Sequence, residues 1–216
     1  MNTGAPRPTR LSRKDAKART RSLLLEAAAK VFAHNGYTGA SVEDVAEAAG
    51  FSTGALYSNF SGKEDLFLAL FAERNRERTG EAVKSILDPA VSGEQRRANI
   101  ADMLLDEDDA DEAMLQTEFW LFAMRRPELR ERFTEQVHNN RRSLAGALAA
   151  WAHDHDRPDT IAFDDLATVL VAVFRGLVQM RRTDPALVTT DLYATASRWL
   201  IEGATTTATQ PGKESS

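Results

Sequence analysis

The sequence predicts an all-α protein of about nine helices. Three observations carry that prediction. Apolar residues recur at helical spacing through almost every segment. Pro, Gly and Asn punctuate those segments. No segment sustains the alternation of a half-buried strand. Helices are expected at about 17–34, 42–48, 53–59, 63–87, 95–105, 111–125, 128–153, 163–182 and 189–203.

The first helix places Leu24, Ala28 and Val31 on one stripe and stops at Asn35-Gly36, where glycine can take a positive φ. Ser41 opens the second helix with Asp44 as the return partner of a capping box. Val42, Val45, Ala46 and Ala49 form its buried face, and Gly50 ends it. Ser52 caps a third, short helix with Leu56 and Phe60 inward. Ser61-Gly62-Lys63-Glu64 reads as a second capping box, opening a long fourth helix with Leu66, Phe67, Leu70 and Phe71 inside.

With 216 residues, the chain is long enough for one large domain or two small ones sharing a surface. The expected division is 1–62, 63–204 and a polar tail at 205–216. The chain has no cysteine, so disulfides, thiol nucleophiles and cysteine metal sites are excluded. Leu166 to Val178 is the longest apolar run. It is too short to span a bilayer and contains Arg175, so a soluble, cytoplasmic protein with no membrane partner is expected.

The net charge of −5 is unevenly spread. Residues 1–80 hold 12 Lys and Arg against 9 Asp and Glu, a net +3, and the remainder holds 15 against 23, a net −8. Residues 1–35 alone hold eight bases against Asp15 and Glu26. A basic arm on an acidic body suits a protein that faces phosphates while staying soluble, and a solvated tail accounts for part of it.

Val42 to Phe60, two short helices joined by a glycine turn, form a helix-turn-helix. Because the second of these helices buries only Leu56 and Phe60, Thr53, Gly54, Tyr57 and Ser58 face outward together. Gly54 admits close backbone approach, Thr53 and Ser58 can meet phosphates or base edges, and Tyr57 offers a ring and a hydroxyl. Such a helix fits the major groove.

The residues from Arg21 to Leu66 resemble the tetracycline-repressor (TetR) family of regulators. The resemblance rests on Ala27-Ala28, Phe32-Ala33, Gly36-Tyr37, Ser41-Val42, Asp44-Val45-Ala46, Ala49-Gly50-Phe51-Ser52, Gly54-Ala55-Leu56-Tyr57, Asn59-Phe60 and Lys63-Glu64-Asp65-Leu66. It covers about a quarter of the chain. Asn59 stands where many members have His, and Ser61-Gly62 varies the usual turn. The resemblance implies that Thr53, Gly54, Tyr57, Ser58 and Asn59 contact DNA, that Lys63 holds a phosphate, and that Ser41 and Val42 lie near the backbone. Arg19 and Arg21 are candidates for phosphate or the minor groove. The implied activity is a repressor on a palindromic double-stranded operator, released by a small-molecule effector. Neither the effector nor the sign of regulation is set by the sequence.

The C-terminal part is expected to bind ligand and to form a homodimer. Leu166, Leu170, Val173 and Leu177 form one apolar stripe, and Leu192, Ala196 and Trp199 form another on the last helix. Faces this wide suggest cover by a second chain, as in TetR-like dimers, or a fully buried monomer core. A candidate pocket draws on Phe67, Phe71, Met103, Met114, Glu118, Phe119, Trp120, Phe122, Phe133, Trp151 and Phe174, an aromatic and methionine set that also suits an ordinary core. Its lining points to an apolar or aromatic effector. Glu118 could pair a cationic ligand, or form a salt bridge to Arg125 or Arg126. The acidic run Asp106 to Glu112 reads as a solvated loop and first helical turn.

Other classes are weaker. No nucleophile motif or phosphate loop is present, so no catalytic residue and no cofactor is expected. His153-Asp154-His155 could ligate a metal in a metal-dependent enzyme, but a solvated loop accounts for it better. A helical adaptor without specific DNA binding is the remaining alternative.

Overall fold

The computed structural model describes residues 12–96, 98–99, 107–157, 161–189 and 191–208, and side chains of 107–113 and 205–208 are not part of that description. Among the described residues the regular structure is helical: α1 (Arg13–Gly39), α2 (Val42–Ala48), α3 (Thr53–Tyr57), α4 (Lys63–Leu87), α5 (Glu107–Met124), α6 (Pro127–Asp154), α7 (Phe163–Thr183) and α8 (Leu192–Ala208). Residues 93–96 and 98–99 are also helical, and the rest of the helix expected at 95–105 lies outside the described residues.

The chain divides into two compact units between Leu70 and Phe71, within α4. The expected boundary at 62/63 is therefore too early. The first two turns of α4 belong to the N-terminal core, where the Phe67 ring lies edge-on to Phe32 and to Tyr37, each at 5.2 Å.

In the N-terminal unit, α1 begins earlier than expected because Ser12 caps it, accepting from the Asp15 N–H at 3.1 Å. Its regular path breaks at Gly36, with φ 68° and ψ 171°, a backbone region open only to glycine. Leu24, Leu25, Ala27, Ala28 and Phe32 are buried along α1. At Ser41 the predicted capping box is complete: the Asp44 N–H donates to Ser41 Oγ and the Ser41 N–H to Asp44 Oδ2, both at 3.0 Å. Gly50, at φ 71°, closes α2 in a Schellman turn, with Phe51 N–H to Ala46 O and Gly50 N–H to Glu47 O, each at 2.9 Å. The second capping box is shifted. The Ser61 N–H donates to Asp65 Oδ2 at 3.1 Å, not to Glu64, because the helix starts at Lys63 and Gly62 takes the cap position.

In the larger unit, α6 starts on Pro127, whose missing N–H has no intrahelical partner to lose at that position. It packs against α5 and α7, and α7 also packs against α8. Ala145, Leu148, Leu166, Ala167 and Leu170 form a core cluster, with Leu200 and Ile201 packed on it.

Candidate nucleic-acid interface and ligand cavity

In α3 the sequence separates the two faces cleanly. Leu56 and Phe60 are buried, while Tyr57 is 53 % exposed. Ser52 caps the helix, accepting from the Ala55 N–H at 3.2 Å. Gly54 and Ser58 are exposed and Thr53 is half-buried. A Cβ on Gly54 would meet only Ser52 Oγ, at 3.8 Å, so the fold itself does not require glycine there.

The neighbouring expectations fare differently. Asn59 turns back onto its own helix, its amide donating to Ala55 O at 2.9 Å and Ser58 Oγ at 3.2 Å, so it is a half-buried end-cap rather than an outward reader. The Ser58 hydroxyl also donates to Ala55 O, at 2.7 Å. The Val42 side chain is buried, which leaves only its backbone for any outside contact. Ser41 is half-buried and engaged in its cap. Arg19 is exposed, as a phosphate-seeking residue needs to be. Arg21 instead lies over the Phe60 ring at 4.3 Å and donates to Asn59 O at 3.2 Å, tying α1 to the end of α3.

Lys63 is the clearest departure. Its ammonium donates to the carbonyls of Tyr37, Thr38 and Ala40 at 2.9, 3.3 and 3.0 Å, and sits 4.8 Å from the Tyr37 ring centroid. An ammonium has three N–H donors, so all are occupied by the loop between α1 and α2. In this structure Lys63 is a clamp, with none of its donors left for a phosphate.

The larger unit contains a cavity of about 900 Å³, at the upper end of what small-molecule sites require. Trp120, Phe133, Trp151 and Phe174 line it, as expected. The other described residues of the expected pocket set do not. Phe67 belongs to the N-terminal aromatic cluster. Phe71 stacks on Phe133 at 4.7 Å and Phe119 lies 6.0 Å from Phe133, both buried as core. Phe122 is covered by the Arg126 guanidinium at 3.6 Å. Met114 is 59 % exposed. Glu118 is absent from the lining, and Met103 lies outside the described residues.

Sequence reasoning missed the cavity's polar wall. It includes Arg78, Arg175 and Tyr193. The Tyr193 hydroxyl donates to Leu170 O at 3.3 Å, and burial pushes its pKa up to about 12. Burial lowers the Arg175 pKa, and the like charge of Arg78 lowers it further. The available signal was Arg175 itself, an arginine inside the longest apolar run of the chain.

On α7, Leu166 and Leu170 face the protomer's own core, so they are not open to a partner chain. Val173 and Leu177 are half-buried. The outward stripe is instead Val169, Ala172 and Met180, with Val169 at 42 % and Met180 at 50 % exposure. On α8, Leu192 and Ala196 are half-buried and Trp199 is 61 % exposed. His155 stacks on Trp151 and its Nδ1 lies 2.8 Å from Trp151 O. Among the described residues no group of three or more His, Cys, Asp or Glu is placed to hold a metal, and no helix is long and apolar enough to cross a membrane.

Residues 24–70 match the family model for bacterial regulatory proteins of the tetR family, and residues 92–207 match the tetracyclin repressor-like C-terminal domain. The chain belongs to the TetR family. The first match ends at residue 70, where the N-terminal unit also ends. The HTH-type transcriptional repressor AcnR of Corynebacterium diphtheriae is 32 % identical over 160 residues, covering 73 % of this chain and 78 % of that protein. AcnR of Corynebacterium glutamicum is 44 % identical over 69 residues, which span 32 % of this chain and 36 % of that protein. FadR from Bacillus subtilis, solved in complex with stearoyl-CoA, shares the fold with a TM-score of 0.63 at 20 % identity, over 84 % of this chain and 98 % of that one. As a TetR family member this chain is a DNA-binding transcriptional regulator.

Proposed function

We propose that the chain is a ligand-released repressor that works as a cytoplasmic homodimer on a palindromic operator. The outward face of α3 carries this reading. Tyr57 is 53 % exposed, and Gly54 is a glycine that the fold does not need. A short, well-capped helix with such a face can enter the major groove, while Leu56 and Phe60 anchor it from behind. One reading helix per chain, doubled by two-fold symmetry, matches an inverted repeat.

The test uses DNA flanking the protein's own coding sequence. Wild-type protein shifts an inverted repeat in that DNA. Tyr57→Ala weakens specific binding by about 1–3 kcal/mol while the helical spectrum is unchanged. A Tyr57→Ala protein that binds as well as wild type would remove α3 as the reading helix.

The dimer is supported by the exposed apolar stripe of α7 and by Trp199. Val169, Ala172, Gly176 and Met180 lie on one side of the helix at spacings of three and four residues. A second copy of the same face covers them. Trp199→Glu puts an unpaired carboxylate into that contact and should convert the dimer to a monomer in light scattering, with operator affinity lost alongside. A wild-type monomer at micromolar concentration would sink this part of the proposal.

The ligand site is the cavity of the larger unit, and α4 continues from the DNA-reading unit into its lining through Asn75, Arg78 and Ile86. A ligand that prefers the DNA-incompetent state shifts the population by its differential affinity, and operator DNA must weaken ligand binding by the same factor. The stearoyl-CoA in FadR from Bacillus subtilis supports a ligand with a long apolar part.

A further inference from the structure

We propose that the cavity takes an amphipathic organic anion, with its carboxylate or phosphate held by Arg175 and its apolar body among the aromatic residues. The proposal rests on the reading of this cavity as the ligand site, and it adds the charge of the ligand and the residues that select it.

Some cations in the wall are already satisfied. Among the described lining residues, six are arginines and one, Glu202, is an acid. Arg141 is paired with Asp164 at 3.1 Å. Arg96 donates to Ser85 O and Asp88 O, at 2.8 and 3.1 Å, as a structural tie. Arg175 is different. It has no hydrogen-bond or ion-pair partner among the described residues, and the charge that acts on it is the like charge of Arg78. It sits within the apolar run of α7, between Phe174 and Val178, which line the same cavity.

A partly buried cation with no counter-charge among the described residues, and with the like charge of Arg78 acting on it, is unfavourable for the empty protein. A guanidinium stays charged when buried, so proton loss does not relieve it. An anion does relieve it, because the fork of N–H donors matches a carboxylate or phosphate in two parallel hydrogen bonds. Trp120, Phe133, Trp151 and Phe174 then define the other half of the ligand as apolar. A neutral effector would leave Arg175 desolvated and unpaired, so the expectation of a purely apolar or aromatic effector is revised to an anionic one.

The test uses two fluorescent probes with the same aromatic body. These are 8-anilinonaphthalene-1-sulfonate, an anion, and N-phenyl-1-naphthylamine, which is neutral. Each is titrated into full-length protein and into Arg175→Met. The anion should bind wild type more tightly than Arg175→Met on the order of 10- to 100-fold, and the neutral probe should bind both alike. Arg175→Lys keeps the charge without the fork and should fall between. If Arg175→Met loses the neutral probe as well, its pocket has collapsed and the decision passes to Arg175→Lys. There, selective loss of the anion supports the proposal, and loss of neither probe overturns it. Equal anion affinity in wild type and Arg175→Met, with the neutral probe retained, overturns it outright. Displacement by dodecanoate and by dodecyl phosphate, with dodecanol as the neutral control, separates a carboxylate ligand from a phosphate ligand. Operator release is read in parallel. Anion binding at Arg175 without release would refute the cavity as the effector site, while release by dodecanol with no anion preference would refute only the anionic ligand.

Discussion

The two units treat their cations in opposite ways. In the N-terminal unit, the cations that the sequence assigns to DNA at Lys63 and Arg21 are occupied within the protein, on backbone carbonyls and on the Phe60 ring. In the larger unit, Arg175 stands inside an apolar helix face with no partner among the described residues. Beside α3, Lys63 is thus held by local backbone dipoles and Arg21 by a carbonyl and a ring, while Arg19 stays exposed. The cavity of the larger unit keeps a cation with no partner among the described residues. A basic residue near a recognition helix need not be a phosphate ligand, and a basic residue in an apolar run need not be a surface residue.

Lys63 tests the first half of that comparison and has the largest expected effect on the fold. Lys63→Met keeps the stem and removes three donors, leaving the half-buried carbonyls of Tyr37 and Ala40 without them. The expected loss is about 1–3 kcal/mol. In a small unit that lowers the melting temperature by several degrees, about 4–8 °C per kcal/mol. Thermal and urea unfolding followed by circular dichroism read this directly. Were Lys63 a phosphate ligand, stability would be unchanged, and the salt dependence of operator binding would lose about one unit of slope. The two outcomes are separable in one set of measurements.

What the sequence reveals follows from range. The cap of α2, the glycine turn at Gly50 and the buried Leu56 and Phe60 depend on spacing within a few residues, and each is found where the pattern puts it. The division between Leu70 and Phe71 and the bonds of Lys63 depend on partners more than twenty residues away, which no local pattern encodes. The same limit governs the pocket. A stripe of aromatics predicts burial, so Phe71, Phe119 and Phe133 are buried as expected, but the pattern cannot separate the core-facing Phe119 from the cavity-lining Trp120 one residue later. Likewise the apolar face of α7 is wide enough to serve two purposes. Only packing reveals that Leu166 and Leu170 take the inner one and Val169 and Met180 the outer.

The smallest expected change in stability belongs to Gly54, and it sharpens the comparison most. Functional glycine is usually argued from strain, yet Gly54 has an ordinary helical setting within α3 and is not among the positive-φ glycines. A methyl group there meets Ser52 Oγ at 3.8 Å, an ordinary contact. Gly54→Ala should therefore fold unchanged, or gain up to about 0.5–1 kcal/mol from the lower entropy of the unfolded chain. If α3 enters a groove with its backbone close to the DNA, the same methyl has nowhere to go. Operator affinity should then fall by about tenfold or more, on the scale of an overpacked contact. A variant of equal or higher melting temperature with weakened operator binding would show that this glycine serves the absent partner and not the fold. Undiminished operator affinity would mean that α3 stands off the DNA at Gly54, leaving Tyr57 and Thr53 to make the approach alone.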